Sequence, residues 1–439
     1  VRTAAAKAMA EADSQLKAAE AEYAAARMRA DKGTQILNDW RAKLGKRMLD
    51  TTFAERGHEE RHLIAPWFDD QMHRLRDDVF IAAVALHKAF ADAAAKPLRH
   101  NLGALMNIFA GRQMPDAAKQ ALVADLWASL FLLVPAVSTT FASVERMLGK
   151  LPPETLGWLL IDEAGQALPQ AAVGALMRSR RAIIVGDPMQ IEPVVVLPDI
   201  LTHAICRTFG IDPDQFNAPA ASVQTLADAA TPYVAEFHSR HGSRTVGVPL
   251  LVHRRCDDPM FGISNAVAYE GLMVQGRGQR PSTIRDILGP SRWIDVAGSA
   301  NDKWCPEEGE AVLALLDALR PLAEPPDIYI ITPFVVVQDN LRVLLRDRGV
   351  LNSWNVDPGR WVYDRIGTVH TVQGREAEAV ILVLGAPAAQ QTGARNWAGG
   401  RPNILNVAVT RAKESVYVIG NRALWRPAGV FQTLHARIG

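Results

Sequence analysis

The chain has 439 residues, 49% hydrophobic and 22% charged, which supports two or three domains of ordinary globular composition. Its net charge of +1 excludes a globally basic nucleic-acid binder, so any such site must be a local groove. Three widely spaced cysteines without a CxxC argue against a zinc site and a disulfide framework and fit a reducing, cytoplasmic setting, and the lack of an apolar run near 18 residues or a secretory signal leaves no membrane partner expected.

From Val1 to about Met48 the chain is rich in Ala, Glu, Lys, Arg and Gln, with no proline. These are strong helix formers. Large apolar residues are sparse, and Leu16 and Tyr23 stand one heptad apart, as in a thin coiled-coil seam. The spacing predicts a long helical arm solvated on most faces, either a spacer or a contact for nucleic acid or a protein partner. Leu49 to about Lys119 continues helical, with joints near Pro66, Pro97 and Pro115. Trp67, Phe68, Met72, Leu75, Val79 and Phe80 recur at three- and four-residue steps, which predicts a core-facing helix stripe. The apolar run Trp127–Val137 is then expected to hold a core strand. Ser138, Thr139, Thr140 and Ser143 follow it. Hydroxyls there either cap a helix or bond phosphate oxygens.

The chain is organised around residues 157–193. The apolar run Trp158–Ile161 reads as a buried parallel strand and ends in Asp162 and Glu163. A helix is predicted from Pro169 to Arg178. A second strand, Ala182–Val185, ends in Gly186-Asp187-Pro188 and then Gln190. One β-α-β unit thus carries polar groups at the carboxyl ends of both strands, where open α/β sheets bind ligands. A strand-end Asp-Glu pair suits a Mg²⁺-nucleotide: one carboxylate holds the metal, mostly through water, and its neighbour polarises the attacking water.

Leu201–Val246 reads as a polar, loop-rich crossing to a second domain. Beyond it, helices are predicted over Gly309–Leu319, Val337–Arg346 and Leu405–Thr410, and strands over Ile328–Thr332, Ala379–Leu384 and Ser415–Ile419.

DEAGQ at 162–166 followed by GDPMQIEP at 186–193 resembles motifs II and III of superfamily 1 helicases. The nearest subgroup is that of the nonsense-mediated-decay RNA helicase and the Okazaki-fragment helicase-nuclease. Four further segments occur in that family's order: the Ser-Thr segment at 138–143, His253-Arg254-Arg255, Thr332-Pro333-Phe334 with Gln338, and Thr368-x-His370 leading to Gln373-Gly374-Arg375-Glu376. Thr410-Arg411-Ala412-Lys413 resembles motif VI. The resemblance implies two RecA-like α/β domains with parallel sheets, at 121–245 and 246–439, and a helical insertion at 1–120. It implies ATP and Mg²⁺ in the cleft between the domains. Asp162 would hold Mg²⁺, Glu163 would act as base, and Gln190 would sense the γ-phosphate. Arg255 would bind phosphate, Gly374 and Glu376 would meet the nucleotide, and Arg411 would be the arginine finger. Arg254 stands where the family has an adenine-stacking aromatic. Thr139, Thr140, Ser143, Thr332, Pro333, Thr368 and His370 would lie along single-stranded nucleic acid, DNA or RNA.

The chain departs from the family in one respect. No G-x-x-x-x-G-K-[ST] occurs; Leu44-Gly45-Lys46-Arg47 lacks the first glycine and the hydroxyl. The chain starts at Val and is expected to be the C-terminal portion of a longer ATP-dependent helicase or translocase, inactive by itself. The alternative is a catalytically inactive helicase-fold module for binding nucleic acid or protein.

Overall fold

The computed structural model describes residues 2–112, 121–187, 189–239, 242–372 and 374–439; the expected joint near Pro115 lies outside them. Two compact units divide the chain, Val1–His87 and Lys88–Gly439.

The first unit opens on one helix, Arg2–Leu44, 43 residues long. Its large apolar side chains are exposed, Leu16 at 58% and Tyr23 at 68%, as the sparse pattern predicts. A second long helix, Asp70–Ala93, begins in this unit. Here the expectation fails. Trp67 is 75% exposed, Val79 70% and Phe80 69%, so the stripe is not core. Helical periodicity specifies which face would bury, but not that a cover is present. Among the described residues no helix is long and apolar enough to cross a membrane.

In the second unit the helix Ala95–Phe109 packs on another, Val123–Leu133, through Leu105, Val123, Leu126 and Trp127. That second helix corrects the strand expected at 127–137. A continuous apolar run does not separate strand from buried helix, and its Leu, Ala and Trp content favours the helix. A further helix, Phe141–Leu148, follows.

β1 (Leu159–Ile161) and β2 (Ala182–Ile184) pair in parallel, joined by the helix Pro169–Met177. With two strands the faces stay open: Leu160 is 72% exposed and Ile183 45%. A largely apolar hollow of about 730 Å³ runs along β2. The stretch 201–246, read as loop-rich, is more ordered than expected. It holds helices Asp199–Thr208 and Val223–Ala230 and an antiparallel hairpin, β3 (Ala235–Ser239) with β4 (Gly242–Val246). The Val223–Ala230 helix is fixed by a capping box from Ser222 and Thr225.

β5 (Val252–His253) pairs with β6 (Val274–Gln275) around the helix Met260–Ala268. The main core follows. β7 (Arg292–Asp295), β8 (Ile328–Thr332), β9 (Ile366–Thr368), β10 (Ala377–Val383) and β11 (Ala412–Gly420) form an all-parallel sheet in the order β7-β11-β10-β8-β9. β8 is buried along its whole length and β10 along most of it, as their runs rich in Ile and Val predict. Helices Pro306–Ala318, Val335–Asp347 and Pro402–Thr410 cover the sheet.

Under the carboxyl end of β10 sits Glu308, 0% exposed. Its Oε2 accepts from Gly385 N–H at 2.8 Å, while Oε1 is buried without a partner. Burial pushes its pKa up to about 8, with the neighbouring Glu307 adding to the rise. A carboxyl raised in the fold binds a proton that the unfolded chain has lost. Stability therefore falls as pH rises from the ordinary value of 4.5 to about 8. The slope should be about 1 kcal/mol per pH unit. Thermal melts of wild type and Glu308→Gln from pH 5 to 8.5 check this. The variant should lose that slope and gain relative to wild type at the alkaline end. Parallel profiles would show that Glu308 ionises freely in the fold.

Candidate nucleotide and nucleic-acid site

The Asp162-Glu163 pair leaves β1 in a turn that the backbone has to force. Glu163 is left-handed, φ +53°, a conformation that costs a non-glycine residue on the order of 1–3 kcal/mol. The turn is held from both sides. Glu163 N–H donates to Asp162 Oδ1 at 2.9 Å, and Gln166 Nε2 donates to Glu163 Oε2 at 2.9 Å. Ala164 N–H reaches across to Val185 O. Gly186 lies so close beneath that a Cβ there would stand 2.7 Å from Gly165 N and 2.9 Å from Ala164 N. Asp162 stays exposed, an open carboxylate at the strand end.

The loop after β2 is tied to the second α/β half. Asp187 accepts one hydrogen bond from Tyr269 Oη and another, of 3.1 Å, from Gln190 Nε2. Asn406 Nδ2 donates to Met189 O at 3.0 Å and to Tyr269 Oη at 3.2 Å, and is itself fixed by Ser264. Asn403 Nδ2 donates to Gln190 O, and Arg401 pairs with Glu192 at 2.7 Å. The side-chain Oε1 of Gln190 is buried without a partner. None of Tyr269, Asn403, Asn406 or Arg401 was singled out from sequence; each needed a partner more than 80 positions away in the chain.

Arg411 caps the helix Pro402–Thr410 and is 1% exposed. Its Nε and Nη1 donate to Val407 O and Arg375 O, both at 3.3 Å, and Nη2 is buried without a partner. Burial pulls its pKa down first and Arg255 next; Glu163 and Glu376 act in the opposite sense. The structure thus brings Glu163, from the strand-end turn, within electrostatic reach of Arg411. Glu376 is bracketed by Arg255 at 3.1 Å and Lys413 at 2.7 Å, and Lys413 above all holds its pKa down. Gly374, φ +77°, makes the turn that brings Glu376 there.

Arg255, Glu376 and Lys413 border a polar cavity of about 710 Å³, where Arg254, Arg277 and Arg280 also face Asp187 and Gln190. Five cations against two carboxylates give this lining a surplus of positive charge. Sequence reasoning missed Arg277 and Arg280, and gave Lys413 no role although it stands in the motif VI segment. The signal that could have found Arg280 is Asp257, a buried acid directly after the basic turn. It accepts from Arg280 N–H at 2.8 Å and pairs with Arg280 Nε at 3.0 Å. His253 adds no charge. Burial, then Arg255 and Arg280, lowers its pKa to about 4, and its Nε2 accepts from Cys256 N–H at 2.9 Å.

The residues read as a nucleic-acid path divide by exposure. Thr139 and Thr140 are exposed, and Thr140 stands at the N-cap of the helix Phe141–Leu148 without making a side-chain cap bond. Ser143 is half-buried and His370 exposed. Thr332, Pro333 and Thr368 are buried. Thr332 Oγ1 accepts from Phe334 N–H at 3.3 Å, and Thr368 N–H donates to Gln338 Oε1 at 2.9 Å. Direct contact through those three requires the loops beyond β8 and β9 to move.

Two family models, each described as an AAA domain, match residues 129–197 and 242–423. The chain is 22% identical over 266 residues to the DNA replication ATP-dependent helicase/nuclease DNA2 of Gallus gallus, covering 60% of this chain and 22% of that protein. It is 25% identical over 329 residues to the DNA-binding protein SMUBP-2 of Rattus norvegicus, covering 70% and 29%. It is 24% identical over 305 residues to an uncharacterized ATP-dependent helicase of Methanocaldococcus jannaschii, covering 63% and 38%. The chain therefore spans less than two fifths of each of these relatives.

Proposed function

Because the chain belongs to the superfamily 1 helicases, we propose that it is the C-terminal portion of an ATP-dependent helicase or translocase acting on single-stranded nucleic acid. ATP would sit between two RecA-like domains, residues 121–245 and 246–439. The observation that carries this reading is Arg411: a buried guanidinium with an unpartnered nitrogen, in electrostatic reach of Glu163. A buried cation with a free donor calls for an anion, and the γ-phosphate supplies one at the place where charge develops. Asp162 suits Mg²⁺, which usually takes one or two carboxylates and keeps its waters. Bound there, the ion would neutralise phosphate charge. Glu163 would orient and deprotonate the attacking water, and Gln190 would sense the γ-phosphate by donating its Nε2, which rests on Asp187, to a phosphate oxygen. Arg255 and Lys413 would exchange Glu376 for phosphate oxygens, freeing Glu376 for the ribose.

The sequence holds no phosphate-binding loop, so turnover is expected only in a protein that supplies one. Among the described residues β1 and β2 pair only with each other, and their outer edges leave room for the strand such a loop follows. The same lack favours the second reading, a helicase-fold module that binds without turnover.

The chain itself should bind single strands weakly, with little sequence preference, through Thr139, Thr140, Ser143 and His370 to the backbone. Few cations lie among these, so the salt dependence should be shallow. Titrations of labelled single strands at 50 and 200 mM salt test it, with Thr139→Ala/Thr140→Ala expected to weaken binding several-fold. No binding at either salt, or sharp sequence selectivity, would overturn the groove. Nucleic-acid-stimulated ATPase of the full-length parent then separates the motor from the binding module.

A further inference from the structure

We propose that the Arg2–Leu44 helix pairs antiparallel with the same helix of a second copy of this chain, as a two-stranded coiled coil. The helix carries two interleaved heptad series. Met9, Leu16, Tyr23, Ala30 and Leu37 form one; Ala12, Ala19, Ala26, Gly33 and Trp40 form the other. Together they make the strict seam of a coiled coil, repeated over five heptads. That seam is open to solvent: Met9 is 77% exposed, Leu16 58%, Tyr23 68%, Leu37 44% and Trp40 49%.

The sizes along the seam select the orientation. In antiparallel coiled coils a residue of one series faces a residue of the other. A single register, with Tyr23 opposite Ala26 of the second copy, places Leu16 against Gly33, Leu37 against Ala12 and Met9 against Trp40. Bulky side chains then meet small ones in most layers, and Ala30 meets Ala19 in a narrow one. A parallel in-register pair would stack Tyr23 on Tyr23 and set Ala19, Ala26 and Gly33 each against its own copy. Those layers would be empty, and voids of that kind forfeit packing.

The charges select the same register. Positions flanking the seam are acidic in its first half, at Glu20 and Glu22, and basic in its second, at Arg27 and Arg29. In the antiparallel register Glu20 faces Arg27 and Glu22 faces Arg29. Two-fold symmetry repeats both, giving four attractive pairs and no repulsive one. Such flanking pairs set partner and orientation more than affinity. A helix whose charge halves are opposite is complementary to itself only when reversed.

Sedimentation equilibrium of the full chain tests the proposal independently of ATP turnover. Twice the mass of one chain is expected at tens of micromolar. Leu16→Glu/Leu37→Glu should lose the dimer. Glu20→Arg/Glu22→Arg and Arg27→Glu/Arg29→Glu should each be monomeric alone, while their equimolar mixture recovers the double mass. For orientation, chains carrying Met9→Cys are mixed with chains carrying Trp40→Cys under oxidising conditions, against wild type for its three native cysteines. The two sites lie roughly 46 Å apart along one helix. A mixed disulfide is expected only in the antiparallel pair. A monomer at all concentrations would mean that another helix covers the seam. Met9→Cys linking to itself would mean a parallel pair, and a dimer indifferent to the seam and charge variants would place the interface elsewhere. Each of these outcomes overturns the proposal.

Discussion

Replacing Arg411 by alanine should lower ATP turnover by on the order of 10³-fold or more in a full-length parent carrying a phosphate-binding loop. The guanidinium is already aimed. Two of its nitrogens are spent on Val407 O and Arg375 O, which fixes the plane of the fork and leaves Nη2 free. A donor held this way needs no reorganisation when charge builds on the transferring phosphoryl group, which is where electrostatic catalysis gains most. Because Arg411 is 1% exposed, its removal also takes a buried donor from Arg375 O, while Val407 O keeps the Thr410 hydroxyl at 3.2 Å. Arg411→Lys is therefore the sharper variant. It keeps a buried cation but cannot supply the planar fork, so it should rescue little turnover. Steady-state ATPase with saturating single strand, beside melting temperature and a single-strand titration, separates the two effects. Full turnover in the lysine variant would remove the arginine-finger role. Full turnover in a folded alanine variant would remove the cleft itself as the site of hydrolysis.

The parts of this molecule legible in sequence are those specified by local pattern. β8 and β10 follow from short apolar runs rich in Ile and Val, and the β1-helix-β2 unit follows from two short apolar runs ending in polar residues. The long first helix follows from composition alone, including its exposure. What failed to show depends on partners distant in the chain. The stripe on Asp70–Ala93 has core periodicity, yet its side chains stand in solvent, because periodicity names a face and not its neighbour. The run at 127–137 was ambiguous between strand and buried helix for the same reason: with apolar residues on every side, the period carries no information.

Within the candidate site the division is similar. Asp162, Glu163, Gln190, Arg255, Glu376 and Arg411 stand in short motifs; Gln190, Arg255 and Glu376 line one cavity, and Glu163 and Glu376 act electrostatically on Arg411. The fastening of that cavity was not legible. Tyr269 to Asp187 and Asn406 to Met189 join residues 82 and 217 positions apart. Asp257 is an exception in principle. An acid just after a basic turn is expected to be paired, and its pairing with Arg280 extends the cationic wall beyond the motif. Glu308 had no sequence signal; an acid in the first turn of a helix is ordinarily a solvated, dipole-favoured residue.

Glu163→Gln should abolish turnover in the same parent while nucleotide still binds. The amide has the shape of the carboxylate, and its oxygen can still accept from Gln166 Nε2, the contact that orients this side chain at 2.9 Å. The left-handed backbone at Glu163 is held by the Ala164-to-Val185 bond and by the close approach of Gly186, neither of which involves the side chain. The turn should therefore survive. What is lost is the capacity to accept a proton from the attacking water, since an amide is no base. The loss should exceed that from displacing a positioning group, because no other carboxylate shares this turn except Asp162, which is assigned to Mg²⁺. Losing the charge of Glu163 also removes one of the influences that favour the charged form of Arg411, but Glu376 remains as another. Nucleotide affinity should then change little, and the effect should fall on turnover alone. A nucleotide titration paired with single-turnover hydrolysis reads both. Affinity lost together with turnover would mean that Glu163 holds the nucleotide or its metal. Turnover near wild type would mean that the proton leaves by another route, and the role of base would pass from Glu163.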